Sequence, residues 1–399
     1  MVGVGNYENI SDISCTRRFR ESDRGDNCVM RIALIYLGRK GGGTVYSLEI
    51  AKALNIKEDV LAVISSQVEN LNLWGSSGIK ILKVSTFNNK WQVIPSTLNI
   101  IKFINLTKQI KKFNPDIIYY PMGHIWIPIL NLFLKKIPKV MTLHDPILHT
   151  GEDNFFWKLL QKIEIKQSDR FIILSNIFTN YLKKKGISIE KIDVIPHGEF
   201  SYYSKYKISK AANKKPTILF FGRISQYKGL DILLKAFPII KKEISECRLI
   251  IAGNGDIKPY KQLMIGLKDI IVFNQWIKDE ETASYFGQAD LIVLPYKDAT
   301  QSGIIPIAYS MKLPVVTTNV GGLPEQVQDG RDGLLVNPCD EKDLAIACIR
   351  LLSNPILAKK MGEEGYKKAM IDWSWENIGN KIIKSFEKTV YAKKLKKQS

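Results

Sequence analysis

The sequence predicts a two-domain α/β protein in which each domain holds a parallel sheet covered on both faces by helices. Three observations support this architecture. Short apolar runs typical of buried strands alternate with helical patterns. The alternation is interrupted by a polar stretch at 201–215 and then begins again. The length of 399 residues is enough for two or three domains of ordinary size.

The expected domain limits follow from these patterns. Residues 1–29 are polar and carry no apolar period, so we expect a disordered leader or an over-extended gene start. The first domain is expected at 30–205 and the second at 206–372. Residues 373–399 are expected to form a helix with a basic tail.

The first domain opens with an apolar run at 31–37, followed by a glycine-rich loop and a helical pattern at 45–54. This order of strand, loop and helix is typical of a parallel α/β sheet. The alternation continues through strands expected at 59–65, 79–84, 116–120, 139–143, 170–174 and 191–195, and helices expected at 99–113 and 155–167.

The second domain repeats this order. A strand expected at 217–221 is followed by a loop with glycine and basic residues and by a helix at 229–244. The pattern continues with strands expected at 248–252, 270–273, 291–295, 315–318 and 333–336, and helices expected at 279–289, 305–311, 323–328 and 341–353.

The chain is strongly basic, with Lys+Arg 58 against Asp+Glu 39 and a formal net charge of +19. Such an excess fits a nucleic-acid, membrane-surface or phosphorylated partner. The basic residues are spread over short clusters, which solvated helix faces explain in large part. Because no aromatic-basic RNA module is evident, we do not expect nucleic-acid binding.

Cysteine usage and hydropathy favour a cytoplasmic protein. The cysteines are few and show no metal-ligand spacing, so no metal site is expected. The longest apolar stretch, at 126–134, falls far short of the roughly 20 residues that a membrane helix needs. Contact with a membrane would therefore be peripheral. Basic-apolar stretches at 102–112 and 131–139 are the candidates for contact with an anionic surface.

Four loops of the second domain lie at the carboxyl ends of strands, where parallel sheets bind ligands. The first carries Arg223 and Lys228, a pair that suits a diphosphate, although such residues on a surface loop are more often only solvated. The turn at 253–256 is glycine-rich, which allows close backbone approach to a ligand. The turns at 298–306 and 317–325 enter helices, whose free N–H groups bind anions. Together these loops predict a nucleotide site.

The same residues carry a resemblance to a known family. The matching runs in the second domain are Phe221-Gly222-Arg223, Lys228-Gly229, Ala252-Gly253-Asn254-Gly255, Leu313-Pro314-Val315-Val316, Gly321-Gly322-Leu323-Pro324-Glu325 and Asp332-Gly333-Leu334-Leu335-Val336. The first domain adds Thr142-Leu143-His144-Asp145 and Val194-Ile195-Pro196-His197-Gly198. From Met30 onward, the chain resembles the family-4 glycosyltransferases. This implies the GT-B fold, in which two Rossmann-like domains face each other across a cleft, and a last helix that crosses back to the first domain.

The resemblance assigns roles to individual residues. Arg223 and Lys228 would hold the donor diphosphate and stabilise the leaving group without a required metal or cofactor, and His144 would lie near the reacting sugar. Backbone at 276–277 would border the base. The implied donor-binding set is Gly42, Gly43, Gly222, Gly253, Asn254, Gly255, Trp276, Ile277, Gln301, Ser302, Gly303 and Ile304.

Histidines and nearby carboxylates supply the remaining candidates, and four of them are weaker candidates for the acceptor side. A lone histidine is more often structural than catalytic, but His144 lies at a strand end beside Asp145, which could set its protonation. His124 lines the acceptor side or simply packs. The acceptor-side candidates are His124, Asp145, His149 and Glu152.

One departure from the family concerns a pair of glutamates separated by seven residues, the first directed to the donor sugar and the second to the ribose. Counted from Pro314 or from Gly303, the matching positions are all neutral: Ala299 or Thr300, and Ile307 or Ala308. Losing a charged hydrogen bond to ribose costs about 1.5–3 kcal/mol. Asp298 and Gln301 are the nearest replacements, and an inactive paralogue stays open as an alternative.

The function that these observations favour is a retaining glycosyltransferase. It would move a sugar from a nucleotide-diphosphate sugar to a glycan or lipid-linked acceptor in polysaccharide or glycoconjugate biosynthesis. Another enzyme with the same fold, such as a nucleotide-sugar epimerase, would release free sugar or nucleotide without an acceptor. A catalytically weak paralogue that acts as a basic scaffold is the non-enzymatic alternative.

Overall fold

The computed structural model describes residues 29–147, 155–206 and 215–398. The structural statements that follow concern these residues. The expected leader lies outside them except for Val29, and the acceptor-side candidates His149 and Glu152 lie outside them as well.

The first domain is built on a seven-stranded parallel sheet of order β3-β2-β1-β4-β5-β6-β7. The central strands are short apolar runs and are buried, as expected for a sheet covered on both faces. The chain reverses its direction of winding between β1 and β4, which makes the edge beside them a topological switch point. The strands are β1 (Arg31–Tyr36), β2 (Asp59–Ser65), β3 (Lys80–Val84), β4 (Ile117–Tyr120), β5 (Lys139–Leu143), β6 (Arg170–Ile173) and β7 (Ile192–Val194).

Alternate residues of β1 supply two separate cores. Ile32 and Leu34 pack on the side of the first helix, whereas Ala33 and Ile35 pack against Phe103 and its neighbours on the other face. The helices of this domain are α1 (Gly42–Asn55), α2 (Leu71–Gly75), α3 (Val93–Leu98), α4 (Ile100–Phe113), α5 (Ile127–Phe133), α6 (Phe155–Gln167) and α7 (Thr179–Lys184).

The second domain has a six-stranded parallel sheet of order β10-β9-β8-β11-β12-β13. Its strands are β8 (Thr217–Phe221), β9 (Arg248–Ala252), β10 (Ile270–Phe273), β11 (Leu291–Leu294), β12 (Val315–Thr318) and β13 (Gly333–Val336). Its helices are α8 (Leu230–Glu243), α9 (Lys261–Met264), α10 (Asp279–Gln288), α11 (Ile304–Ser310), α12 (Leu323–Gln326), α13 (Glu341–Leu352) and α14 (Pro355–Ile371). The two sheets confirm the predicted architecture of two parallel α/β domains.

The final helix, α15 (Trp375–Gln398), lies on the first domain although it follows the second in sequence. Ile378, Ile382 and Phe386 are buried in the same core as the inner face of α1. None of the helices in the described ranges is both long and apolar enough to cross a membrane.

The junction between the domains includes a short 3-10 helix, Ser201–Lys205. Phe200 and Tyr203 are buried in a core of the second domain, so packing of that domain begins upstream of residue 206. The backbone N–H of Phe200 donates to Ser310 Oγ at 2.9 Å, which fixes the junction to α11.

Candidate functional site

The carboxyl ends of the strands of both sheets face each other across the cleft. The loop after β5 meets the loop after β11, where Thr300 donates a hydrogen bond to the carboxylate of Asp145. The loop after β1 approaches the second domain at Trp276, which lies 3.5 Å from the position of a Cβ at Gly41. A ligand in the cleft would therefore contact both domains.

Arg223 and Lys228 lie together at the carboxyl end of β8. The Lys228 Nζ atom is 3.8 Å from the centroid of the Tyr296 ring and 5.0 Å from that of Tyr227. Arg223 Nη2 donates to the hydroxyl of Tyr227 at 3.2 Å, so the tyrosine ties the two cations together. Burial lowers the pKa of Lys228, and the charge of Arg223 lowers it further. Because the two positive charges repel each other, binding of an anionic ligand beside them would be favoured.

The turn from Gln301 to Ile304 is held inside the second domain. The N–H of Ser302 donates to Gln326 Oε1 at 2.7 Å, and the N–H of Ile304 donates to Ser302 Oγ at 3.2 Å. Two of the amides expected to cap a phosphate are therefore already used within the protein. Among the described residues, the buried side-chain oxygen of Gln301 has no hydrogen-bond partner.

The glycines after β8 and β9 have a structural explanation. Gly253 has φ 151°, and a Cβ there would lie 1.8 Å from the carbonyl oxygen of Gly222. The next residue, Asn254, accepts a hydrogen bond from Ile224 N at 2.8 Å. The two loops therefore pack backbone against backbone, and any side chain at Gly253 would separate them. Gly222 has a positive φ of 114°, and a Cβ at Gly255 would lie 2.0 Å from the carbonyl oxygen of Ile224, so all three glycines have a structural explanation without a ligand.

The glycine loop of the first domain is positioned by Glu69, a residue that follows β2. Glu69 Oε1 accepts from Gly41 N at 2.6 Å and from the Thr44 hydroxyl at 3.4 Å. Lys40 Nζ lies 5.8 Å from the centroid of the Trp276 ring. Gly42, beside Gly41, has no atom of the described residues within 4 Å of a Cβ position. Glu69 was not predicted from the sequence, because nothing in its local pattern indicates a partner 28 residues upstream.

His144 is held in a largely apolar environment at the end of β5. Its Nε2 is 2.9 Å from the carbonyl oxygen of Pro121, and its ring meets Tyr46 edge-on with centroids 4.7 Å apart. Burial lowers the pKa of His144, although the Asp145 carboxylate opposes this effect. The imidazole is therefore neutral near pH 7. His197 also contacts Tyr46, and its Nε2 is 3.9 Å from a Cβ position at Gly303, which places a second imidazole at the donor turn.

His124 belongs to a separate cluster on the first-domain side of the cleft. Its ring stacks on Phe87 with centroids 5.8 Å apart, and Arg39 Cζ lies 4.9 Å from the centroid of the same phenyl ring. The backbone N–H of His124 donates to Glu164 Oε1 at 3.0 Å. Burial lowers the pKa of His124 to about 3 and raises that of Glu164 to about 7. Aromatic faces beside polar groups suit a sugar-like acceptor, but Arg39, Phe87 and Glu164 were not predicted.

The remaining predicted residues lie on different sides of the cleft between the domains. Asp145 was expected on the acceptor side, but its contact with Thr300 directs it to the second domain. Trp276 is 42% exposed and faces the glycine loop, whereas Ile277 is half-buried against the second-domain core. Trp276 lies beside the glycine loop of the first domain and Gly303 lies close to His197, so part of the predicted donor set lies where the two domains meet.

Two family models match successive parts of this chain. Residues 40–198 match the model described as Glycosyltransferase Family 4. Residues 215–354 match the model described as Glycosyl transferases group 1. Between them lies the junction that connects the two domains.

The chain is similar over part of its length to several curated proteins. A GDP-mannose-dependent alpha-(1-6)-phosphatidylinositol monomannoside mannosyltransferase of Mycolicibacterium smegmatis is 29% identical, over 42% of this chain and 47% of that protein. The alpha-D-kanosaminyltransferase of Streptomyces kanamyceticus is 27% identical, over 42% of this chain and 44% of that protein. The chain spans about half the length of the curated relatives it matches.

Solved structures are similar over nearly the whole chain. Anabaena HepE in complex with UDP and glucose superimposes with a TM-score of 0.70 at 17% identity, over 90% of this chain and 99% of that one. The UDP-GlcNAc 2-epimerase of Neisseria meningitidis, bound to UDP-GlcNAc, gives a TM-score of 0.62 at 16% identity, over 90% of this chain and 100% of that one. At these identities the likeness shows a shared fold, which transferases and epimerases both use.

Proposed function

Because this chain belongs to the family-4 glycosyltransferases and has their GT-B fold, we propose that it moves a sugar from a nucleotide-diphosphate sugar to an acceptor hydroxyl with retention of configuration. The observation that carries the proposal is the pair of cations at the carboxyl end of β8. Arg223 and Lys228 are linked through Tyr227, and the carboxylate of Asp145 from the first domain acts electrostatically on Lys228. Retention is inferred from the family alone.

The proposed chemistry uses the cations at the moment of bond breaking. As the bond between sugar and diphosphate breaks, negative charge grows on the leaving phosphate. Cations fixed beforehand stabilise this charge more strongly than they stabilise the bound substrate, and this difference lowers the barrier. Neutral His144 would orient a sugar hydroxyl through its imidazole rather than carry a charge. We propose that no metal or cofactor is required, since the protein supplies the positive charge itself.

We propose a hexose attached to UDP or GDP as donor. By their names, the mycobacterial relatives use GDP-mannose, and by its title the Anabaena structure holds UDP and glucose. The same mannosyltransferases are named for a phosphatidylinositol mannoside, which favours a lipid-linked or glycan acceptor for this chain. The aromatic cluster around His124 is the surface proposed to receive it.

A transfer assay with single variants tests this proposal. Arg223→Ala and Lys228→Ala should each lower kcat about 100-fold or more, because each removes charge from the leaving-group side. Lys312→Ala is the matched control, since that lysine makes an exposed ion pair with Glu363. Its activity should stay within about twofold of wild type. Near-normal turnover in the Arg223→Ala/Lys228→Ala double variant would refute the site.

The alternatives have distinct outcomes in the same assay. An epimerase would convert or hydrolyse UDP-GlcNAc without any acceptor, whereas the transferase needs the acceptor for turnover. A basic scaffold would bind neither UDP nor GDP more tightly than inorganic phosphate. Addition of EDTA should leave transfer unchanged if no metal is required, and loss of activity that Mg²⁺ restores would contradict that part of the proposal.

We also propose peripheral contact between the first domain and an anionic membrane. Helices α4, α5 and α6 cover one face of the first sheet, and α3 is joined to the start of α5 by the Trp126 Nε1 hydrogen bond to Thr97. On their outer surface Leu98 is 72% exposed and Phe155 is 81% exposed. Exposed apolar groups mixed with lysines are typical of interfacial helices. Here the exposed lysines are Lys108, Lys111, Lys112, Lys158, Lys162 and Lys166.

This surface overlaps in part with the two stretches expected from the sequence. Within 102–112 the apolar residues Phe103, Leu106 and Ile110 are buried in the core, so its exposed residues are Asn105, Gln109 and three lysines. Lys139 is buried and its ammonium donates to two backbone carbonyl groups, so it is unable to reach a membrane. Leu132, Lys135 and Lys136 of the second stretch are exposed, and α3 and α6 add further exposed apolar side chains.

A further inference from the structure

Asp145 is a carboxylate of the first domain that reaches the second. Its side chain accepts a hydrogen bond from Thr300, which is 3% exposed and belongs to the loop after β11. Its backbone carbonyl accepts from Gln161 Nε2 of α6 at 2.8 Å. The carboxylate is therefore positioned by contacts from both domains.

The surroundings of Asp145 place it between two predicted subsites. Its negative charge partly opposes the effect of burial, which lowers the pKa of Lys228 on one side and that of the adjacent His144 on the other. A sugar attached to a diphosphate at Lys228 and reaching toward His144 would pass this carboxylate. This placement rests on the proposed nucleotide-sugar site.

The hydrogen-bonding groups of the cleft indicate what the carboxylate of Asp145 would bind. Arg223, Lys228 and backbone amides are hydrogen-bond donors, which suit phosphate oxygens, whereas sugar hydroxyls also need acceptors. A carboxylate accepts hydrogen bonds from hydroxyl groups strongly. The hydrogen bond from the Thr300 hydroxyl demonstrates that the Asp145 carboxylate is oriented to accept a hydrogen bond from a hydroxyl group.

We propose that Asp145 is the specificity-determining residue that recognises a hydroxyl of the donor sugar. A sugar hydroxyl joins or replaces that of Thr300 on the carboxylate. The loop 299–308 supplies none of the expected glutamates, so the negative charge toward the sugar comes from the opposite domain. Recognition of the sugar then requires the two domains to be closed, while recognition of the diphosphate does not.

Binding of UDP and UDP-glucose, and of GDP and GDP-mannose, to the full chain tests this assignment. The readout is the ratio of the two dissociation constants within each pair, because the ratio isolates the sugar. For the pair that wild type prefers, Asp145→Asn should weaken the nucleotide sugar about tenfold or more. The nucleoside diphosphate alone should bind as before or slightly tighter, because a negative charge near the cations is gone.

Two further variants separate recognition from simple contact between domains. Thr300→Val removes the hydroxyl but keeps the carboxylate, so the ratio should stay within about threefold of wild type. Asp145→Asn/Thr300→Glu returns a carboxylate from the second domain and should recover most of the lost sugar affinity. A melting temperature for each variant confirms that it is folded.

The contrary results are equally specific. If Asp145→Asn weakens UDP and UDP-glucose, or GDP and GDP-mannose, by the same factor, Asp145 only joins the domains and the assignment is wrong. The assignment also fails if Asp145→Asn changes none of these dissociation constants. If wild type binds neither nucleoside diphosphate, the proposed function fails and takes this assignment with it.

Discussion

Glu164 shows how burial alone can set the behaviour of one residue. It is 4% exposed, and burial raises its pKa to about 7 even though its carboxylate accepts the His124 N–H. An acid with a raised pKa binds more protons in the folded than in the unfolded protein. Its effect on stability is therefore unfavourable above pH 7 and fades as pH falls toward its ordinary range near 4.5.

Glu164→Gln should consequently stabilise the protein in a pH-dependent way. The amide oxygen still accepts from His124, but no charge is buried, so the gain should reach at most about 3 kcal/mol at pH 8. At pH 4.5 the variant and wild type should differ by less than about 1 kcal/mol. Melting temperatures of both proteins between pH 4.5 and 8 provide the measurement. A difference that is constant with pH would contradict the raised pKa.

Whether a residue of the site could be predicted from the sequence depended on how far along the chain its hydrogen-bond partners lie. His144 and Asp145 were singled out because a strand end marks them, and Arg223 because it follows one. Glu69 and Glu164 were missed, since their roles arise from hydrogen bonds to residues 28 and 40 positions away. Asp145 was assigned to the acceptor side because only the folded chain brings Thr300 to it.

Helix α15 is the element with the largest role outside its own domain. Phe386 is fully buried against the first domain, and its ring lies 5.2 Å from that of Tyr119 on β4. Phe386→Ala should therefore destabilise the protein by about 3–5 kcal/mol through the cavity it leaves. Tyr391 on the same helix is 56% exposed, and Tyr391→Ala should change stability by less than about 0.5 kcal/mol. Urea unfolding of the two variants compares them, and equal losses would mean that the helix packs differently.

A second element-level contact joins the domains near α7. Glu325 at the start of α12 accepts from Asn176 N at 2.7 Å and from Ile177 N at 3.0 Å, so a carboxylate of one domain caps a helical turn of the other. Gly322 allows this approach, because a Cβ there would lie 2.7 Å from the Ser175 hydroxyl.

Glu325→Ala should release the amides of Asn176 and Ile177. Hydrogen exchange at these two positions should accelerate about tenfold, because each loses a charge-assisted hydrogen bond. Glu363→Ala is the control, since Glu363 pairs with Lys312 on the outer surface of the second domain. Unchanged exchange in Glu325→Ala would mean that the domains do not hold this contact in solution.

The regular elements of the second domain were predicted well for a physical reason. Strands such as β8 and β9 are buried apolar runs ended by glycines, and both patterns are local. Helix α14 was not among the expected helices, because Gly362 and Gly365 weaken its local helical signal. In the folded chain Gly365 lies against the Tyr309 ring, a contact that no local pattern reports.

At the scale of the whole molecule, the net charge of +19 and the exposed side chains of α3 and α6 predict vesicle binding. The protein should sediment with vesicles containing phosphatidylglycerol and not with phosphatidylcholine alone. Binding should weaken as salt rises, because surface charges are screened beyond about 8–10 Å near physiological ionic strength. Equal binding to both vesicles, or to neither, would leave the charge as ordinary solvated surface.

Variants locate the surface responsible. Phe155→Ser/Trp157→Ser should reduce vesicle binding several-fold by removing apolar groups that enter the interface. Ile356→Ser, on the second domain, replaces a side chain that is 83% exposed and should have no effect. If both variants lose binding to the same extent, the contact is not specific to the first domain.

The position of α15 also has a consequence for synthesis on the ribosome. The first domain is translated before the second, but the helix that covers α1 is translated after it. Because translation adds about 5–20 residues per second, the apolar side of α1 stays uncovered for on the order of 10 s or longer before α15 is synthesised. During that interval the nascent domain offers an exposed surface to chaperones. We expect arrested chains that end before Trp375 to be captured by them, and chains that extend through α15 to be released.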